Sequence, residues 1–242
     1  MLMDVFFRFP HTPHLAWLGE GEPRGDKVLS AGEARVLFDG NVLVEEKVDG
    51  ANLGLSLDRN GGIRVQNRGQ YLTQPFSGQF SRLSGWLAQH EDGLRTVLQP
   101  ELILFGEWMA ARHSLDYTAL PDLFLLFDVY DRTQRAFWCV ARRNELADKA
   151  GAAVVPYLFQ GHTTIAALQH LVNRIPSRFR NGQPLEGVVV RRDGPMWNEA
   201  RAKLVRPEFV QTMDAHWRGR SIEWNRISRQ PCSKSMLVGS TR

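Results

Sequence analysis

A lysine followed by an aspartate and a glycine is the first candidate for chemistry, at Lys47-Val48-Asp49-Gly50. Residues 42–48 are predicted to be a strand, and side chains alternate along a strand, so Lys47 and Asp49 should share a face. A lysine amine attacks phosphorus only when it is unprotonated, so nearby cations or a metal must lower its pKa from about 10.4. The alternative is a surface hairpin, since this short motif arises by chance in roughly one such chain in twenty.

Four further motifs place charged residues on or beside apolar strands, where a charge needs a partner or a ligand. A nucleoside triphosphate site requires the same residue types. Carboxylates bind the ribose hydroxyls and a metal, an aromatic face stacks on the base, and cations hold the α-phosphate. The motifs are Phe105-Gly106-Glu107, Phe127-Asp128, Glu186-Gly187-Val188 and Arg201-Ala202-Lys203.

The hydrophobic pattern predicts the elements that must position these motifs. The order is rich in strands, with scattered helices and no regular alternation of strand and helix. It therefore predicts an α+β fold with antiparallel sheets and a cleft. Strands are expected at 42–48, 53–57, 63–66, 102–105, 123–130, 136–140, 187–192 and 200–205, and helices at 77–98, 142–149, 164–172 and from Pro207 onward.

The bulk composition is that of an ordinary globular protein. The 242 residues are 43% hydrophobic and 23% charged, which fits one large domain with at most a small appendage. No apolar stretch reaches the length of a membrane span, and no signal peptide is expected at the start. Two cysteines cannot build a disulfide framework, so the cytoplasm is the expected location. Nothing in the sequence implies a protein partner.

The net charge of +4 is compatible with a phosphate-rich partner, and most of it lies near the C-terminus. Residues 207–242 have six basic and three acidic side chains, which gives this segment +3. Two readings stay open: a contact surface for nucleic acid, or a solvated helix face. In a variant of the second reading, the segment packs on the domain through Ile222, Trp224 and Ile227.

The ordered motifs from Glu45 to Arg206 resemble the covalent nucleotidyltransferase superfamily, which includes ATP-dependent DNA ligases, RNA ligases and mRNA capping enzymes. The resemblance implies an α+β adenylylation domain in residues 1–206, with antiparallel sheets flanking an ATP cleft. A short basic helical tail would occupy residues 207–242. The implied cofactors are ATP and either Mg²⁺ or Mn²⁺.

The resemblance also implies roles for particular residues. Lys47 would take AMP onto its side chain, and Lys203 would contact the α-phosphate. Glu107 would bind the ribose, Phe127 would stack on the purine, and Glu186 would support the catalytic metal. The remaining implied residues are Glu46, Asn52, Arg68, Arg191 and Arg201 at the nucleotide and Asp49 at the metal.

Asn52, two residues after Gly50, looks like the RNA-ligase branch that includes RNA-editing ligases. DNA ligases and capping enzymes usually have arginine there. The implied substrate is therefore RNA with 5′-phosphate and 3′-hydroxyl ends. Arg191 and Arg201 depart from the family, which commonly has lysine at both positions, and arginine differs from lysine in shape and titration.

Three other functions remain open: a DNA ligase, a capping-type guanylyltransferase, and a nucleic-acid-binding protein with an inactive nucleotide site. Asn52 disfavours capping. So does the lack of room after Arg206 for a barrel domain of roughly 70–100 residues. His11 and His14 are expected to be structural or surface residues, and Phe7 to Trp17 has no assigned role.

Overall fold

Two antiparallel sheets dominate the computed structural model of the protein, which describes residues 5–21, 23, 26–212 and 221–228. The predicted α+β class is confirmed. A four-stranded sheet has the order β10-β9-β1-β8, and a six-stranded sheet has the order β4-β3-β2-β5-β6-β7. The strands are β1 Val42–Lys47, β2 Ala51–Leu57, β3 Ile63–Gln66, β4 Tyr71–Leu72, β5 Leu102–Trp108, β6 Phe124–Asp131, β7 Ala136–Phe137, β8 Tyr157–Gly161, β9 Gly187–Asp193 and β10 Asn198–Val205.

The four-stranded sheet packs its apolar side against helices α1 (Ala31–Leu37) and α4 (Ile165–Arg174). Both helices begin at a capping side chain. Ser30 forms a capping box with Glu33, and Thr164 accepts a hydrogen bond from a backbone N–H of the first turn of α4. Helix α1 and strands β4 and β8 were not predicted from the sequence, although the spacing of Ser30 and Glu33 is typical of a helix start.

The six-stranded sheet is covered by α2 (Leu83–Val97) and α3 (Val140–Ala150). A short 3₁₀ helix, Gly78–Phe80, precedes α2, so the predicted helix at 77–98 is two separate pieces. Gly93 lies where α2 meets α3, and a Cβ there would be 2.2 Å from the Ala150 carbonyl oxygen. Glycine therefore permits close packing of the two helices at this point.

The N-terminal segment extends the four-stranded sheet. His14 forms parallel bridges both to Lys203 in β10 and to Val28. The backbone N–H of Lys203 donates to Pro13 (2.8 Å), and that of Leu15 donates to the carbonyl of Lys203 (2.7 Å). Residues 13–15 are therefore bonded to β10 beside one of the predicted site residues.

At the C-terminal end, Pro207 opens helix α5, Pro207–Thr212, as the sequence predicted. Residues 221–228 are not helical. They run along the domain and form bridges from Trp224 to Ala111 and from Ile227 to Leu120. The basic residues Arg218, Arg220, Arg229, Lys234 and Arg242 of the tail lie outside the described residues. No helix in the described ranges is long and apolar enough to cross a membrane. The division at residue 206 stays a prediction.

Candidate active site

A cleft between the two sheets brings most of the predicted site residues together. Strands β1, β9 and β10 form one wall, and β2, β5 and β6 form the other. The N-terminal segment adds Phe9, His11 and Thr12. The predicted residues that line the cleft are Glu46, Lys47, Asn52, Arg68, Glu107, Phe127, Arg191, Arg201 and Lys203.

Lys47 ends β1 and is paired with Glu186, which immediately precedes β9. Its Nζ lies 2.6 Å from Oε1 and 2.7 Å from Oε2 of a carboxylate that is 3% exposed. Burial disfavours the ammonium ion, but the charges of Glu186, Asp49 and Glu107 outweigh it and raise the pKa of Lys47. The expectation that its surroundings lower this pKa is therefore not met.

Gly50 carries the chain from β1 to β2 past the end of β5. A Cβ at Gly50 would lie 2.6 Å from the Trp108 carbonyl oxygen, so only glycine fits without a shift. Its N–H donates to Oε1 of Glu107 at 3.0 Å. Burial, together with the charge of Asp49, raises the pKa of Glu107 to about 7 against the opposing effect of Lys47. The glycine of the motif thus brings Glu107 close to Lys47.

Asp49 lies outside β1, so strand alternation does not set the direction of its side chain, contrary to the prediction from the sequence. Its backbone N–H donates to the Tyr117 hydroxyl (2.9 Å), and its Oδ2 accepts from the Ser114 N–H (2.8 Å). Asp49 and Glu186 are not among the residues that line the cleft. Within the described ranges, no group of three or more His, Cys, Asp or Glu side chains is arranged to hold a metal ion.

Phe127 contributes to an apolar part of the cleft, where it packs with Val48 and Val155. Near it are polar atoms that have lost water without gaining a partner. Oδ1 of Asn52, Oε1 of Glu46 and Nε of Arg68 are buried and accept or donate no hydrogen bond within the described structure. Buried polar groups are normally satisfied, so these atoms are suited to a polar ligand.

Arg191 joins the two sheets through a buried ion network. Its Nε donates to Glu45 in β1 and its Nη1 to Asp128 in β6, both at 2.7 Å, and its Nη2 donates to the Phe127 carbonyl at 2.9 Å. Arg201 also donates to Asp128. Arg143 of α3 binds Glu45 at 2.6 Å. All three nitrogens of Arg191 therefore have partners in the protein, although its side chain lines the cleft.

Lys203 donates a hydrogen bond to Asp26, a residue for which no role was predicted from the sequence. His11 Nδ1 lies 2.9 Å from the same carboxylate, and Arg68 Nη1 lies 3.4 Å from that histidine nitrogen. His14 is buried, and burial followed by the charge of Lys203 lowers its pKa to about 4. His11 is thus an exposed residue, as expected, that also lines the rim of the cleft, whereas His14 is structural.

A sequence model of the RNA ligase family matches residues 40–205. The chain belongs to the RNA ligase family. The match includes every residue that was assigned a role from the motifs, from Glu46 to Lys203. No curated protein matches the chain.

Solved structures of point mutants of the Naegleria gruberi RNA ligase share the fold. One with AMP and Mn has 17% identity and a TM-score of 0.57, and it covers 86% of this chain and 64% of that one. One with ATP and Mn has 18% identity and a TM-score of 0.53. An apo form has 20% identity and a TM-score of 0.56. Each of these last two matches covers 71% of this chain. This chain spans only about half, 51%, of the length of each solved chain.

Two segments outside this family match also contact the site. The first is the N-terminal segment with His11 and Asp26. The second is 221–228, where Asn225 is buried and its Oδ1 accepts from the N–H of Tyr117 at 3.0 Å. The Tyr117 hydroxyl in turn accepts from Asp49. Sequence motifs missed both segments because their contacts are distant along the chain. The one local signal was Trp224, which was predicted as part of an apolar side.

Proposed function

We propose that the protein is an ATP-dependent RNA ligase that joins 5′-phosphate and 3′-hydroxyl ends through lysyl-AMP on Lys47. The observation that supports this most is the pairing of Lys47 with buried Glu186 in a cleft that also holds Lys203. A structural lysine does not require a cleft between two sheets. A nucleophile does, because phosphoryl transfer depends on positioning and on charge stabilisation.

The reaction has three steps in which Lys47 is first nucleophile and then leaving group. Its amine forms a bond to the α-phosphorus of ATP, and the bond to the bridging oxygen breaks to release pyrophosphate. The proton of the ammonium has an acceptor in Glu186 within hydrogen-bond reach. An RNA 5′-phosphate oxygen then displaces Lys47 from AMP. A 3′-hydroxyl finally attacks that 5′-phosphate, and AMP leaves.

The wall formed by the six-stranded sheet recognises the nucleoside in this proposal. Phe127 stacks on the adenine, since aromatic faces bind bases with little demand for sequence. Glu107 binds the ribose hydroxyls. The unsatisfied atoms of Asn52 on this wall, of Arg68 after β3 and of Glu46 on β1 of the opposite wall supply polar contacts to the nucleotide. Lys203 meets the α-phosphate, and we retain Arg191 and Arg201 as nucleotide-site residues with a positioning role.

Mg²⁺ or Mn²⁺ fits the donors that the chain provides. Magnesium is often held by one or two carboxylates together with substrate phosphates and water, rather than by a cage of protein ligands. Glu186, with Asp49 beside it, would be such carboxylates, which agrees with the lack of a three-ligand cluster in the described ranges. When bound, the metal neutralises phosphate charge and orients the phosphates.

Lys47→Ala should abolish the covalent adenylate, because it removes the nucleophile. Lys47→Arg should fail as well, since a guanidinium is not deprotonated in proteins. The measurement is acid-labile label on the protein after incubation with α-labelled ATP and metal, followed by peptide mapping. Lys149→Ala, an exposed lysine on α3, is the matched control and should label like the wild type. AMP mapped to another residue would refute the assignment.

The same assay separates the rival functions. Labelling by ATP supports a ligase, labelling by GTP supports a capping guanylyltransferase, and no labelling supports a binding protein. RNA as the substrate is tested with 5′-phosphorylated strands that differ only in an RNA or a DNA 3′-hydroxyl end, because the 2′-hydroxyl is the distinguishing group. Equal sealing of both ends would remove the preference for RNA and leave DNA ligation open.

Two truncations test whether the tail binds RNA. Residues 221–228 pack on the domain through Trp224 and Asn225. A chain truncated before residue 221 should therefore lose adenylylation and sealing together. Removal of 229–242 takes away three basic residues and no acidic ones. It should weaken sealing in a salt-dependent way and leave adenylylation intact, since phosphate contacts are electrostatic. A sealing loss indifferent to salt would exclude phosphate contacts.

A cytoplasmic location and the lack of a protein partner remain predictions.

A further inference from the structure

An aspartate from the N-terminal segment binds the lysine that we assign to the α-phosphate. Nζ of Lys203 donates to Oδ2 of Asp26, and His11 Nδ1 lies 2.9 Å from Oδ1. His14 Nε2 lies 3.6 Å from Oδ2. Lys203 and His11 line the cleft, whereas Asp26 is set behind them and is 22% exposed. The carboxylate thus contacts two cleft residues at once.

The backbone fixes Asp26 at this position. Its neighbour Lys27 accepts a hydrogen bond from the His14 N–H at 2.7 Å, and Leu29 donates to the His14 carbonyl at 2.8 Å. His14 lies beside Lys203 in the parallel bridge that joins the segment to β10. The contact between Asp26 and Lys203 therefore belongs to an extension of the sheet rather than to a chance approach of two surface chains.

Charge at Lys203 depends on this carboxylate. Burial lowers the pKa of Lys203 and the Lys47 ammonium lowers it further, while Asp26 and, more weakly, Glu186 oppose both effects. His14 is the other titratable group that faces Asp26 from the same segment, and its lowered pKa leaves it neutral near pH 7. Loss of the Asp26 charge would therefore favour neutral Lys203, which offsets no charge on a phosphate.

We propose that Asp26 is a positioning residue of the active site, whose carboxylate keeps the Lys203 ammonium charged and directed at the α-phosphate of ATP. The proposal rests on the proposed function in the assignment of Lys203 to that phosphate. It makes the N-terminal segment part of the catalytic machinery, outside the region that the family model matches.

The first test is single-turnover formation of lysyl-AMP at saturating ATP from pH 6 to pH 9. Asp26→Asn keeps the shape and removes the charge. It should slow the reaction by roughly tenfold or more at pH 8.5, the scale expected for losing part of one charge-stabilising contact, and recover towards the wild-type rate at pH 6. Asp26→Glu should restore most of the rate. Asp39→Asn, an exposed acid after α1, makes the same charge change and should behave as wild type.

The second test reads the ammonium directly in the nucleotide-free full chain. The sequence has only five lysines, so Lys203 can be followed by side-chain NMR and identified by its loss in Lys203→Gln. Its titration midpoint should fall in Asp26→Asn and stay unchanged in Asp39→Asn. Thermal unfolding of each variant establishes that the compared proteins are folded.

The outcomes separate this proposal from the proposed function. If the wild type is labelled and Asp26→Asn matches it at every pH, the proposal is wrong and the ligase function stands. A loss that is equal at all pH values, with an unshifted Lys203, would make Asp26 merely structural. Tighter ATP binding and faster labelling by Asp26→Asn would instead mean that the Asp26 carboxylate competes with the ATP phosphate for Lys203. If the wild type takes no label, the ligase function fails, and the titration of Lys203 still decides whether Asp26 controls its charge.

Discussion

The two sheets bring different chemistry to the cleft. The four-stranded sheet supplies Lys47 and Lys203 to the cleft, and Glu186, just before β9, binds Lys47 without lining the cleft itself. These three residues suit phosphate, metal and proton transfer. The six-stranded sheet supplies Asn52 and Phe127 together with Glu107, which suit a base and a ribose. In the proposed function, the wall that reacts is therefore distinct from the wall that recognises the nucleoside.

This difference predicts a separation of kinetic effects. Substitutions on the four-stranded side should lower the rate of adenylylation at saturating ATP, since interactions made only in the transition state act on that rate. Substitutions on the six-stranded side should weaken binding of ATP. Substitution of Glu107 should change both quantities, because Glu107 is bonded to Gly50 and raises the pKa of Lys47.

Glu186→Gln should give the largest effect among changes that leave Lys47 in place. The amide keeps the shape but can neither accept the Lys47 proton nor hold a cation, so lysyl-AMP formation should fall roughly 10²–10³-fold. Binding of ATP should change little. Single-turnover labelling gives the rate, and Glu145→Gln, exposed on α3, is the matched control. A faster rate would mean that Glu186 chiefly restrains Lys47 by holding it protonated.

Phe127→Ala should give an effect of the opposite kind. Stacking on an aromatic ring contributes about 1–3 kcal/mol per base, so the Kd for ATP should rise roughly tenfold or more. The rate at saturating ATP should stay within about threefold of wild type. Phe127→Tyr preserves the ring and should bind ATP normally. If Phe127→Ala lowered the saturated rate but left the Kd unchanged, the recognising wall would take part in the chemistry.

How much the sequence predicted differs between these parts of the molecule. The strands that carry motifs were predicted within a few residues, because short runs of apolar residues bounded by turn residues are a local signal. Strand β8 was missed because it is half exposed at the edge of its sheet, and its pattern is weak. Helix α1 has only seven residues, too few for helical periodicity to emerge.

Site residues divide in the same way. Lys47, Glu107, Phe127 and Lys203 lie in local motifs, and the structure brings them into one cleft. Asp26 meets Lys203 across 177 positions of sequence, and no local pattern encodes such a contact. The direction of the Lys47 pKa shift was also beyond the sequence, because it depends on how many carboxylates the fold gathers around the ammonium.

Arg191→Lys tests a residue that is bonded to both walls, and it should have the smallest effect on the reaction. Its guanidinium bonds to Glu45, Asp128 and the Phe127 carbonyl, a geometry that lysine cannot reproduce. The free energy of unfolding should therefore fall by about 2–3 kcal/mol, somewhat less than when a buried ion loses its partner entirely. The Kd for ATP of the folded variant should stay within about threefold. Urea denaturation and equilibrium binding measure the two quantities, with Arg192→Lys at a more exposed ion pair as the control. Unchanged stability with weakened ATP binding would make Arg191 a phosphate ligand, as the family resemblance implied.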